Sequence, residues 1–129
     1  MSLPRSSILA FRASLSVALV VIMYLAVTPQ TYPVVESLND KVIHLLAFCM
    51  LALLGDYSSP ADEFGIRKFL LLSSYGLLIE FVQYFLPYRE ASLLDLMADC
   101  LGLSVYWVLY GHLKHLPILR LRWRTFSQA

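Results

Sequence analysis

Charged residues are scarce in this chain. They make up 15% of its 129 residues, where a soluble domain carries about 25%. A chain with so little charge and 59% hydrophobic residues does not read as a water-soluble domain. Net charge is also nearly absent, at +1, so composition gives no sign of a nucleic-acid partner or an acidic substrate. Cysteine is sparse: Cys49 and Cys100 both fall inside apolar segments, read as small core residues and not as a disulfide framework. There is no internal repeat, no low-complexity tract and no loop much longer than a dozen residues. The length allows one domain.

What the chain does have is apolar sequence in blocks, with a mean hydropathy of +0.68. A helix needs about 20 mostly apolar residues to cross a bilayer. Four blocks approach that length, predicting helices over about 8–27, 40–57, 68–86 and 92–110, followed by a basic cytoplasmic tail at 112–129. The turn-rich stretches "TPQTYP" and "SSPADEFG", Pro87 and Gly111 punctuate them. The first block lacks a clean small-residue cleavage site and is read as a retained helix, not a signal peptide. The expected fold is all-α: a polytopic membrane protein with four transmembrane helices in a small bundle.

Basic residues set the expected orientation, because cytoplasmic flanks carry the Lys/Arg excess. With four spans and both termini inside, Arg5, Arg12, Arg67, Lys68, Lys114, Arg120, Arg122 and Arg124 are all cytoplasmic. Only Lys41 and Arg89 fall outside. The tail, with Trp123 among its arginines, reads as a positive-inside anchor at a lipid interface.

Against this background the polar residues of "GLLIEFVQYFLPYREASLLDLMADCLG" need a reason. A carboxylate at mid-bilayer costs about 2.5–3.5 kcal/mol on insertion scales. Glu80 stands ~10 Å below Pro87 at 1.5 Å per residue. Glu80 and Gln83 approach the outer side on the third helix, while Asp95 and Asp99 descend from it on the fourth. Lys41 and His44 open the second. Ser73, Gly76, Glu80 and Gln83 share one helical stripe, as do Asp95, Asp99 and Gly102, and Lys41, His44 and Phe48. The small residues in these stripes let helices approach closely. The stripes predict one outward-facing polar pocket built from Lys41, His44, Glu80, Gln83, Arg89, Ser92, Asp95 and Asp99.

Polar residues can simply pin helices together, but such bonds contribute well under about 1 kcal/mol each on average in membranes. A binding or catalytic site accounts better for so many. Arg89 and Lys41 suit a phosphate. Glu80, Asp95 and His44 are the acid/base candidates. Asp95, at the third position after a Ser92 cap, is expected to be ionised and near Arg89, with Asp99 donating to Glu80 or Gln83. His44, Glu80, Asp95 and Asp99 form a conceivable ligand set, but no metal-binding spacing surrounds them, so neither metal nor cofactor is assigned. The polar stripe does not continue into the cytoplasmic half, which disfavours proton or ion conduction.

"DKVIHLLAF" followed by "IEFVQYFLPYREASLLDLMADCLG" resembles the VanZ-like family of small bacterial membrane proteins, over about residues 36 to 110. The matching pieces are Asp40-Lys41-x-x-His44, Glu80-x-x-Gln83, Pro87-x-Arg89-x-x-Ser92-x-x-Asp95 and Gly102. The family often has Asn where Asp99 stands, so an extra carboxyl enters the pocket here. The resemblance implies a bacterial inner-membrane protein with its site on the outer face. The family's founding member is linked to teicoplanin resistance. The expected partner is a membrane lipid or lipid-linked envelope precursor, bound or modified at its headgroup; the alternatives are a membrane-embedded acid/base enzyme and a purely structural polar set. Substrate, partner and oligomeric state are not legible in the sequence.

Overall fold

The structure is a computed structural model that describes residues 3–29, 40–113 and 115–116. Among them are four α-helices: α1 (Arg5–Val27), α2 (Asp40–Ser58), α3 (Ile66–Tyr84) and α4 (Leu93–Leu113). Lys114 and the rest of the basic tail from 117 onward lie outside the described residues, as does the stretch from 30 to 39.

The helix ends follow local chemistry. Pro4 precedes α1 with φ at −66° and has no N–H to leave unpaired. α3 ends at Tyr84 rather than at 86, because Pro87 disfavours helical geometry at the residue before it. The turn that follows is closed by Leu86 N–H to Gln83 O and Arg89 N–H to Leu86 O. α4 runs through Gly111 to Leu113. A lone glycine costs a helix only about 1 kcal/mol, and Leu113 packs on the core beyond it.

Three helices, α1, α2 and α4, are long and apolar enough to cross a membrane. α3 carries Arg67, Lys68 and Glu80 within its 19 residues. The all-helical architecture agrees with expectation.

α2 and α4 form the tightest pair. Gly102 makes this possible: a Cβ there would overlap the Leu45 carbonyl oxygen and lie 3.1 Å from the Cys49 nitrogen. Phe48, Leu51, Ala52, Ile79, Leu103 and Tyr106 fill the space between α2, α3 and α4. Cys49 and Cys100 are free thiols, and Cys100 lies 3.8 Å from the Ser73 hydroxyl. α1 is peripheral, with no fully buried residue. It is tied on through its own carbonyls: Tyr75 donates to Leu19 O at 2.5 Å, Gln83 to Ala26 O at 3.1 Å and Tyr88 to Val27 O at 2.9 Å. These ties bring the C-terminal ends of α1 and α3 to the same end of the bundle as the N-terminal ends of α2 and α4.

Candidate functional site

At that end a cavity of about 570 Å³ opens between the helices. Its floor is apolar, with Ile22, Ala47, Phe48 and Ile79; its rim includes the exposed Asp40, Tyr88 and Glu90. Of the residues expected in the pocket, Lys41, His44, Gln83, Arg89, Ser92 and Asp95 line this cavity. Glu80 and Asp99 stand behind its wall and reach it through hydrogen bonds to Ser92 and His44. All eight are therefore brought to one end of the molecule.

Their pairing differs from the sequence expectation at three points. Asp95 pairs with Lys41, not with Arg89, at 3.3 Å. Arg89 instead directs Nη2 to the carbonyls of Leu25 at 2.8 Å and Thr28 at 2.6 Å. Those carbonyls belong to the last turn and cap of α1, where helices leave oxygens unpaired and favour cations. Asp99 does not reach Glu80 or Gln83: its Oδ1 lies 2.8 Å from His44 Nδ1, and Gln83 is spent on α1. With Asp99 ionised, the imidazole is the donor, and Nε2 is left as the second ring nitrogen.

Ser92 stands immediately before α4, as a cap should, and its carbonyl accepts the Asp95 N–H at 3.0 Å. Its own N–H is taken by Glu80 Oε2 at 2.6 Å. In a capping box a side chain from the same helix would accept this bond. Here a carboxylate from the neighbouring helix does, which locks α3 to the start of α4.

Several polar atoms in this region are buried without a hydrogen-bond partner among the described residues: Glu80 Oε1, Arg89 Nε and Asp99 Oδ2. Asp99 Oδ2 points at the backbone of α3, where a Cβ on Gly76 would come within 2.7 Å. Gly76 is thus small for the carboxylate as well as for the helix.

A second polar cluster lies at the opposite end, where sequence reading placed none. Asp56 is fully buried and accepts from Lys68 Nζ at 3.0 Å and from the Tyr106 hydroxyl at 2.8 Å. Lys68 also donates to Ser59 O and Asp62 O. The signal was present as an acidic residue closing an apolar helix, with a lysine twelve positions on; "SSPADEFG" was read only as a turn. An apolar layer of Leu51, Ala52 and Leu103 separates the two clusters.

A fission yeast protein from Schizosaccharomyces pombe, named "Uncharacterized protein C11E3.10", is 33% identical to the chain over 111 residues, covering 82% of this chain and 67% of the yeast protein. The chain belongs to the family of that yeast protein. No family model matches the chain, and no solved structure matches it. The relationship therefore reaches a eukaryote; the membrane-protein character rests on the chain's own apolar helices.

Proposed function

We propose that this membrane protein binds a lipid by its headgroup, with the apolar part of the ligand against the cavity floor. The observation that carries the reading is the cavity's two-sided lining: an apolar floor of Ile22, Phe48 and Ile79 beneath a rim of charged side chains. Pockets of several hundred cubic ångströms with few, convergent polar groups are the usual form of small-molecule sites. In this reading α3 is the fourth span, both termini are cytoplasmic, and the cavity faces outward. The VanZ-like resemblance adds a bacterial inner membrane, an envelope lipid or lipid-linked precursor as ligand, and a glycopeptide response of the teicoplanin type. Mass spectrometry of lipids retained by gently purified protein tests it, with Glu80→Gln alongside. One lipid class enriched over the host membrane, and lost in the variant, is expected; a retained mixture matching bulk membrane sinks the reading. Topology has its own check: a cysteine at Glu90 reacts with an impermeant reagent in intact cells, and one at Ser127 does not.

One observation favours a second reading, an acid/base enzyme acting on a lipid. His44 is oriented by the fully buried Asp99, the arrangement by which a carboxylate fixes an imidazole for proton transfer, with Glu80 and Asp95 as the other candidates. Turnover of the retained lipid by purified protein separates the two readings.

A further inference from the structure

Asp40 begins α2, His44 follows one turn later on the same face, and Asp95 sits in the first turn of α4. A ring nitrogen of His44 and one carboxylate oxygen from each aspartate all lie within 4.8 Å of one another. Zinc-type ions hold nitrogen and oxygen ligands at about 2.0–2.2 Å, which places tetrahedral ligand atoms about 3.4 Å apart. Closing the widest pair needs a movement of little over an ångström, and Asp40 is exposed at a helix start where its side chain can turn.

The balance of donors and acceptors around the cavity points the same way. Asp40, Glu80, Glu90, Asp95 and Asp99 bring five carboxyls to this end, against the cations Lys41 and Arg89. Arg89 is engaged by the carbonyls of α1, and Lys41 pairs with Oδ1 of Asp95. Glu80 is more than nine-tenths buried. Its Oε2 reaches the cavity wall at Ser92, and Oε1 beside it has no partner among the described residues. The unmet demand is for positive charge, not for an anion. His44 is also supported as a metal ligand usually is: its Nδ1 faces a buried carboxylate, the outer-shell contact that fixes the ring and raises its basicity.

We propose that Asp40, His44 and Asp95 bind a divalent transition-metal cation at the cavity mouth, with Asp99 as the positioning residue for His44. The one-nitrogen, two-carboxylate donor set suits Zn²⁺ or Mn²⁺ over Cu(I) or iron–sulfur chemistry. This ligand set differs from the one weighed on sequence alone: Asp40 enters, Glu80 leaves, and Asp99 moves one shell outward. The site goes beyond the lipid reading and does not depend on it.

The test is calorimetric titration of chelator-stripped, detergent-purified full-length protein with Zn²⁺ and with Mn²⁺. One saturable equivalent of at least one ion is expected. Asp40→Asn and His44→Gln should each weaken it at least tenfold, Asp99→Asn by about 10–100-fold, and Glu63→Gln, in the distant loop, should leave it unchanged. Asp40→Asn alters an exposed helix start, so it remains interpretable if His44→Gln fails to fold. No saturable binding of either ion by the wild type overturns the proposal. So does binding that survives Asp40→Asn at full affinity. Lipid retained by metal-free protein that binds neither ion would remove the metal site and leave the lipid reading standing.

Discussion

The two ends of the bundle each bury charge, and they do so in opposite ways. At the Asp56 end every oxygen of the carboxylate has a donor, and the Lys68 ammonium has three acceptors: Asp56, Ser59 O and Asp62 O. At the cavity end, Glu80, Arg89 and Asp99 each keep a buried polar atom without a partner among the described residues. An unsatisfied buried group costs about 1–3 kcal/mol. A cluster that saturates itself acts as a structural staple. One that leaves acceptors over is incomplete as a structure, which is the expected condition of a site awaiting a ligand. The difference teaches that burial of charge alone does not tell the two ends apart; the leftover bonding capacity does.

The comparison breaks most visibly at the saturated end. Asp56→Ala removes the partner of a largely buried ammonium, a change that costs about 3–5 kcal/mol where a buried pair loses one member. Thermal unfolding in detergent should show it as the largest loss of any single carboxyl in the chain. A variant as stable as wild type would mean that Lys68 reaches water without Asp56, and the staple reading would fail. Next in size is Tyr106→Phe, which keeps the ring packed against Phe64 at 4.9 Å but strips a donor from Asp56. About 1–3 kcal/mol is expected. An unchanged midpoint would show that the hydroxyl bond at 2.8 Å is not a net contributor.

Glu80→Gln sharpens the contrast from the other side. Gln can still accept the Ser92 N–H through its carbonyl oxygen, and the atom lost is one that has no partner among the described residues. Its stability effect should stay below about 1 kcal/mol, the net contribution of an ordinary hydrogen bond, while lipid retention falls. A Glu80→Gln protein as damaged as Asp56→Ala, yet retaining lipid normally, would make the two ends alike and both structural.

Sequence periodicity made much of this legible. Stripes at i, i+3, i+4 and i+7 placed Lys41, His44, Gln83, Asp95 and Asp99 at one end because a helix face is fixed by spacing alone. Gly102 was legible for the same reason. Pairing was not, since spacing within one helix says nothing about which side chain of another helix it meets. Asp95 therefore took Lys41 where Arg89 was expected, and Arg89 turned to carbonyls of α1 that no residue type announces. Asp56 was missed because it stands at a helix end beside a turn, where a lone acid looks solvated. Its full burial and the bond it accepts from the Tyr106 hydroxyl show otherwise.

The smallest effects distinguish the two aspartates of α4. Asp95 lies in the first helical turn, where a negative charge is favoured by about 0.3–1 kcal/mol through the helix dipole, and it faces a half-exposed lysine. Asp95→Asn should lower stability by roughly that amount. Asp99 has no such position. An asparagine there keeps an oxygen for the His44 imidazole, and its amide replaces Oδ2, which beside Gly76 has no partner among the described residues. One unsatisfied atom is exchanged for another, so Asp99→Asn should change the unfolding midpoint less than Asp95→Asn does. Paired thermal melts of the two variants decide it. The reverse order would mean that the charge of Asp99, and not merely its shape, holds α2 and α4 together through His44, and the cavity end would then contain a staple of its own.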